Sequence, residues 1–317
     1  MSKIMLAPME GVVDANMRRL LTRVGGIDEC VTEFIRITEQ KLPEKDLLKK
    51  VPELRNGGCT DSGVPVLVQF LGSDPQMLAY HSEMAVGLGA RGIDLNFGCP
   101  SKTVNKHRGG AVLLDEPETI YQIISTVRAA VPIHVPVSAK MRLGNKDKTL
   151  ALENASAIQS SGASRLVVHA RTKLEGYRPP AHWQWIKKIK DAIDIPVVAN
   201  GDVYTWEDFE LCRQVSGCQD VMIGRGILAN PSLARSIKCQ LGEQSTEGFS
   251  WQQTVALIIE YYEQVQRELD PPFVPGRVKQ WLNMMRKHND NAQHLFDQVK
   301  KVSDLDELTG LLKDQLA

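Results

Sequence analysis

The sequence has no run of about 18 apolar residues free of charge, the length a helix needs to cross a bilayer, so no membrane span is expected. Its opening apolar stretch is interrupted by Pro8 and Glu10 before a secretory core can form, and export is not expected either. None of the six cysteines (Cys30, Cys59, Cys99, Cys212, Cys218 and Cys239) stands in a Cys-x-x-Cys pair. Neither a zinc site nor a disulfide framework is therefore indicated; no metal is expected, and a reducing cytoplasm fits. A surplus of one charge is missing too. Lys+Arg 38 balance Asp+Glu 38, so any anionic partner has to be met by a local patch. What the 317 residues do have is 43% hydrophobic content, enough for a sizeable core and too much for a small staple-dependent scaffold.

Short apolar runs alternate with longer amphipathic stretches over the first 230 or so residues, the pattern of βα units on a parallel sheet. Eight strands are predicted: Lys3–Ala7, Cys30–Arg36, Val64–Leu71, Gly92–Asn96, Pro136–Arg142, Arg165–His169, Pro196–Asn200 and Asp220–Gly224. Helices are predicted at Ala15–Val24, Pro75–Leu88, Pro117–Ala130, Thr149–Ser160, Trp183–Ala192 and Trp206–Val215. The glycine-rich connection around Gly57–Gly63 is expected to be a long loop or small hairpin. Eight similar units favour a closed (β/α)8 TIM barrel, an α/β fold, over a doubly wound sheet. Beyond Gly242 the β-branched runs stop, and four amphipathic segments (Trp251–Glu268, Gly276–His288, Asn291–Lys301 and Leu305–Leu316) predict a small C-terminal helical domain. The expected division is 1–242 for the barrel and 243–317 for the helices.

In such a barrel the active site forms at the C-terminal ends of the strands. Polar residues collect there: Glu10, Glu33 and Arg36, Gln69, Asn96 and Cys99, Lys140 and Arg142, His169 and Arg171, Asn200 and Asp202, and Arg225. One such group is easily a satisfied structural feature, but a polar group at every strand end reads as a site. Asn200-Gly201 and Gly224-Arg225-Gly226 end the last two strands, where barrels commonly bind phosphate. Lys140 interrupts an otherwise apolar strand, so its ammonium either enters the barrel mouth or pairs with Glu33 or Asp94. Gln69 offers a donor and an acceptor, which suits a planar imide-like edge. Cys99, between Gly98 and Pro100, can donate a proton or act as a nucleophile. By contrast, the Gly-x-Gly-x-x-Gly match at Gly87–Gly92 follows a helix and precedes a strand, the wrong order for a dinucleotide site, and reads as a helix cap and turn. Two basic clusters, Lys102/Lys106/His107/Arg108 and Arg277/Lys279/Arg286/Lys287/Lys300/Lys301, bracket the site. Each alone reads as a solvated face; together they make a polyanionic substrate competitive.

The segments Leu6-Ala7-Pro8-Met9-Glu10-Gly11, Val68-Gln69-Phe70-Leu71-Gly72, Asp94-Leu95-Asn96-Phe97-Gly98-Cys99-Pro100-Ser101, Lys140-Met141-Arg142, His169-Ala170-Arg171-Thr172, Asn200-Gly201-Asp202 and Gly224-Arg225-Gly226 resemble, in that order, the tRNA-dihydrouridine synthases. The resemblance extends over nearly the whole chain. Gly176-Tyr177-Arg178 and Arg277-Val278-Lys279-Gln280-Trp281-Leu282 look most like the bacterial branch acting on uridine 16 of the tRNA D-loop.

That resemblance implies a flavoprotein oxidoreductase that reduces a tRNA uridine to 5,6-dihydrouridine, with bound FMN and with NADPH as reductant. It places Pro8, Met9 and Glu10 beside the flavin, Gln69 and Lys140 at its pyrimidine-like edge, and His169, Asn200, Gly201, Asp202, Gly224 and Arg225 around its phosphate. It makes Cys99 the general acid and implies tRNA contacts at Arg36, Asn96, Tyr177, Arg277, Lys279, Met284 and Lys300. No obligate protein partner is implied, and a monomer is expected. Where the family often has small residues, Lys106-His107-Arg108 stand here, with either an altered loop closure or added phosphate contacts as the consequence. Two rivals stay open: a flavin barrel acting on a free pyrimidine, and a non-catalytic RNA-binding module.

Overall fold

The computed structural model describes residues 2–243 and 248–316; the expected boundary at 242/243 adjoins residues 244–247, outside that set. Nine strands form one parallel sheet: β1 (Ile4–Leu6), β2 (Glu29–Val31), β3 (Ile35–Arg36), β4 (Val66–Leu71), β5 (Ile93–Phe97), β6 (Val137–Arg142), β7 (Arg165–His169), β8 (Val197–Asn200) and β9 (Val221–Ile223). Their order is β2-β1-β9-β8-β7-β6-β5-β4-β3, and β2 also pairs with β4, which closes the sheet into a barrel. The predicted strand Cys30–Arg36 is in fact split. β2 pairs with both β1 and β4, whereas β3 continues along β4 alone. Counting β2 and β3 as one broken strand gives the eight-stranded TIM barrel.

Helices cover the outside: α1 (Ala15–Val24), α2 (Glu44–Lys50), α3 (Pro75–Gly87), α4 (Lys102–Lys106), α5 (Pro117–Ala130), α6 (Ala151–Ser160), α7 (Trp183–Ala192), α8 (Trp206–Ser216), α9 (Arg225–Ala229) and α10 (Leu233–Gln240). Local chemistry sets their starts. Asp14 caps α1 by accepting from Met17 N, Asp74 caps α3 ahead of Pro75, and Thr205 with Asp208 forms a reciprocal capping box on α8. The second connection, expected as loop or hairpin, contains α2, a 3-10 turn at Pro52–Asn56 and one antiparallel bridge between Cys59 and Pro65. Gly87–Gly92 does end a helix and turn into β5, with Gly89 at φ 105°.

Strand alternation decides what enters the barrel. Met5, Val31, Leu67, Val167, Val198 and Met222 pack together as an apolar plug. Two residues further along the same faces come Gln69, His169 and Asn200, so polarity begins directly above the plug.

The C-terminal helices are α11 (Trp251–Glu268), α12 (Val274–Met285), α13 (Asp290–Val299) and α14 (Leu305–Lys313). They share one continuous apolar cluster with the barrel. Trp281 anchors α12: it is fully buried, donates its indole N–H to the Leu228 carbonyl of α9 at 3.0 Å, and meets Tyr261 edge-on at 5.3 Å. Arg277 of α12 reaches the Gly11 carbonyl and the Asp14 carboxylate, joining that helix to the segment after β1.

Candidate active site

Above the plug lies a cavity of about 530 Å³ lined from all around the barrel mouth. Every residue expected at the flavin reaches it: Pro8, Met9 and Glu10 after β1, Gln69 on β4, Lys140 on β6, His169 on β7, Asn200, Gly201 and Asp202 after β8, and Gly224 and Arg225 after β9. Cys99 also lines it, as do three of the expected tRNA contacts, Asn96, Tyr177 and Met284. The other four do not. Arg36 is exposed on β3, and Lys300 lies on the surface with Asp297 at 2.7 Å. Lys279 is half-buried on α12 with no side-chain hydrogen bond or ion pair among the described residues, whereas Arg277 is occupied by Asp14 and the Gly11 carbonyl. Arg108 of the other basic cluster is exposed and pairs with Glu116 at 2.6 Å.

Lys140 makes no ion pair with Glu33 or Asp94. Its Nζ donates to Asn200 Oδ1 at 3.2 Å, and Asn200 Nδ2 donates in turn to the Met222 carbonyl at 2.8 Å. Burial, with the neighbouring positive charge of Arg142, lowers the Lys140 pKa to about 8. Near neutral pH the ammonium is therefore mostly charged and has no carboxylate bonded to it. Glu33 is used elsewhere, accepting from Val12 N at 3.2 Å and so holding the segment after β1.

Cys99 sits on a braced turn. Asn96 Oδ1 accepts both Gly98 N at 2.8 Å and Cys99 N at 3.0 Å, and Asn105 Nδ2 donates to the Cys99 carbonyl at 2.9 Å. Burial raises the thiol pKa, against the Ser101 backbone and Arg142, so Cys99 holds its proton through neutral pH. Gly110, at φ 67°, packs over the same turn; a Cβ there meets the Cys99 carbonyl oxygen at 2.8 Å and Cβ at 2.9 Å.

Around β8 and β9 the site is cationic. Fully buried Arg171 pairs with Asp202, which also receives Arg225 at 3.1 Å. Arg171 Nη1 lies 3.5 Å from His169 Nε2; guanidinium has no lone pair to offer, so the neutral ring keeps its proton on Nδ1. Burial, followed by the charges of Arg142, Lys140, Arg171 and Arg225, drives the His169 pKa well down and keeps the ring neutral. The backbone N–H groups of Asp202 and Arg225 have no acceptor among the described residues. Gly201, at φ 131°, and Gly224 line the cavity in close quarters, where a Cβ would press on Ala181 at 3.3 Å and on Ala7 and Met9 at 3.3 Å respectively.

Some residues of the site carry no individual role in the sequence reading. Arg142 lines the cavity and joins two loops: Nε donates to Gly98 O at 2.8 Å, and Nη1 to Gly176 O at 2.8 Å and Thr172 O at 3.1 Å. The signal was its spacing, since Arg142 follows Lys140 by two residues and shares its face of β6. Tyr204 and Phe34 also line the cavity, and nothing in the local pattern distinguishes either from a packing aromatic.

The chain matches the family model described as Dihydrouridine synthase (Dus) over residues 5–315. It is 50% identical over 310 residues to a tRNA-dihydrouridine(16) synthase of Aquipseudomonas alcaligenes, covering 98% of each chain. A protein of the same name from Neisseria meningitidis serogroup B is 50% identical over 314 residues, 99% of this chain and 94% of that one. Among solved structures, histamine dehydrogenase from Rhizobium sp. 4-9 superposes with a TM-score of 0.55 at 14% identity, over 76% of this chain and 46% of that chain. At that identity the likeness concerns the fold.

Proposed function

We propose that this chain, which belongs to the dihydrouridine synthase family, reduces uridine 16 in the D-loop of tRNA to 5,6-dihydrouridine. The observation that carries the reading is the Cys99 thiol and the Lys140 ammonium opening into one cavity whose far wall is the cationic end of β8 and β9. A thiol that keeps its proton, a lone cation and an anion cradle are the parts such a reduction needs. Neither the free-pyrimidine rival nor the non-catalytic one accounts for all three together with Met284 of α12 at the cavity mouth.

The residues present fit flavin mononucleotide. Unsatisfied N–H groups of Asp202 and Arg225, with His169, Asn200, Gly201 and Gly224 beside them, would hold its phosphate. Gln69 and Lys140 would hold its pyrimidine-like edge, and Pro8, Met9 and Glu10 would flank the rings. FMN, refilled by NADPH, supplies the reducing equivalents that saturate C5–C6 of the uracil. Lys140 fixes a positive charge in a site shielded from water, where it acts more strongly than in bulk solvent. Cys99 holds a proton at Sγ and delivers it to C5 of the base.

The target base has to leave its stack to reach the cavity. Tyr177 stands at the rim, more than half exposed, with Arg142 and Arg225 5.0 and 5.1 Å from its ring centroid, and offers an aromatic face to that base. Residues 1–242 would then carry the chemistry and 243–317 the tRNA docking. Lys279, with no side-chain partner among the described residues, is the strongest phosphate contact among the expected ones; Arg36 and Lys300 extend that set, Asn96 meets the tRNA inside the cavity it lines, and the chain works as a cytoplasmic monomer. Position-resolved nucleoside analysis of tRNA from cells lacking the protein tests the reading. Loss of dihydrouridine at position 16 alone supports it, and an unchanged position 16 overturns it.

A further inference from the structure

Beneath the cavity runs a hydrogen-bonded line that the expected functional residues do not explain. Asp94, buried on β5 below Asn96, accepts Ser138 Oγ on one oxygen at 2.6 Å and Gln69 Nε2 on the other at 2.7 Å. Gln69 Oε1 then accepts Asn96 Nδ2 at 2.8 Å, and Asn96 Oδ1 accepts the Gly98 and Cys99 N–H groups. The backbone N–H of Gln69 is itself held by Thr32 Oγ1 at 2.9 Å.

An amide side chain can rotate by half a turn and exchange its oxygen for its nitrogen at little steric cost. This line removes that freedom. One end is an acceptor, the Asp94 carboxylate; the other consists of donors, two backbone N–H groups. Between them a single arrangement of the two amides is consistent, and turning either one sets like against like at both of its contacts. Gln69 retains one N–H and one lone pair for the cavity, in a fixed sense.

We infer that Asp94 is a positioning residue whose buried acceptor oxygens set the orientation of the Gln69 and Asn96 amides and, through Asn96, hold the Cys99 turn in place. The inference deepens the proposed reaction and rests on it for the meaning of Cys99, although the hydrogen-bonded line itself does not.

The test compares Asp94→Leu with Asp94→Asn in the full-length flavin-loaded protein. Leucine keeps the volume and removes the acceptors. Asparagine can still present its oxygen to Gln69 and its amide to Ser138 Oγ, whose hydroxyl has the Ile93 carbonyl to turn to. The first readout is the rate at which iodoacetamide alkylates Cys99, followed by mass spectrometry without tRNA or reductant, with buried Cys30 and Cys212 as internal references. The leucine variant is expected to react at Cys99 about fivefold faster or more, the weight of one lost hydrogen bond, with the references unchanged. Its kcat on tRNA should fall, and the asparagine variant should stay near the parent in both measurements. A Cys99 rate in the leucine variant within about twofold of the parent, below what one lost hydrogen bond gives, overturns the inference. So does an equal acceleration of Cys30 and Cys212, or an asparagine variant as impaired as the leucine one. If the leucine variant does not fold, Asp94→Ala carries the same expectations. Because alkylation needs no turnover, a parent protein that makes no dihydrouridine refutes the proposed reaction without touching this result.

Discussion

The guanidinium of Arg142 lies 5.0 Å from the centroid of the Tyr177 ring while its nitrogens hold the carbonyls of Gly98 and Gly176. One side chain on β6 thus ties the turn that carries Cys99 to the loop that carries Tyr177. The same loop is braced from behind by Glu175, which accepts Lys148 at 2.7 Å, His182 at 2.9 Å and Thr172 N at 2.7 Å. The Cys99 turn and the aromatic rim are therefore set at a fixed separation by the barrel.

Arg142→Lys should keep the positive charge and lose the fork. A lysine cannot reach both carbonyls in one plane, so the two loops drift apart. Misplacement on the ångström scale costs about 10²-fold in turnover, and that is the expected loss, with FMN content retained. Steady-state kinetics beside the flavin absorbance of the purified variant check it; parental kcat would show that the two loops do not depend on this tie.

Cys99→Ala should retain FMN and lose about 10²–10⁴-fold of turnover, the usual contribution of a general acid. The flavin should still be reduced by NADPH at the parental rate, because the thiol has no part in that half of the cycle. Rapid-mixing measurements of the two half-reactions separate these outcomes. Dihydrouridine formation near the parental rate would remove Cys99 from the mechanism.

A pH dependence follows from Lys140, whose pKa is lowered to about 8, chiefly by burial. Its charge is present below that value and lost as pH rises through it. Affinity of the flavin-free protein for FMN should accordingly be greatest below pH 8 and fall above it, approaching about tenfold per pH unit if only the ammonium form binds. Lys140→Met should bind FMN more weakly at pH 7 and show a flat profile across the same range. Fluorescence quenching titrations at several pH values read both, and an unaltered profile in the variant would assign the dependence to another group.

Much of this site was legible in the sequence because a TIM barrel concentrates function at strand ends, and strand ends are where an apolar run stops. His169 closes a strand predicted to the residue, and Asn200 closes one predicted within one residue of its start. Period-two alternation was the signal left unused. It places Asp94 with Asn96, and Ser138 with Lys140 and Arg142, on faces that meet inside the barrel. The break between β2 and β3 could not be read, since Thr32, Glu33 and Phe34 form neither a turn motif nor a glycine pair. Nor could α2, whose Glu44–Lys50 sequence carries a single buried residue, Leu47, and so has no apolar stripe to reveal it.

Charge counting gave Arg277 and Lys279 the same role, and the structure separates them. Arg277 is engaged with Asp14 and Gly11 and joins α12 to the segment that carries Met9 and Glu10; Lys279 has no side-chain partner among the described residues. Arg277→Ala should lower stability by about 1–2 kcal/mol, a charged hydrogen-bonded pair discounted for partial exposure, and should weaken tRNA binding at every salt concentration. Lys279→Ala should melt like the parent and reduce the salt dependence of tRNA binding by roughly 0.7–0.9 logarithmic units per decade, one phosphate contact. Thermal melts and filter-binding titrations across a salt series check both. Identical behaviour of the two variants would contradict the division.

If the cavity delivers reducing equivalents and the Cys99 proton to one uridine of tRNA, mixing FMN-loaded, NADPH-reduced protein with an unmodified tRNA transcript should reoxidise the flavin rapidly and yield stoichiometric dihydrouridine at position 16. A transcript carrying cytidine there should give neither product nor rapid reoxidation. Reoxidation at the same slow rate on both transcripts, with no dihydrouridine at position 16, would contradict that delivery.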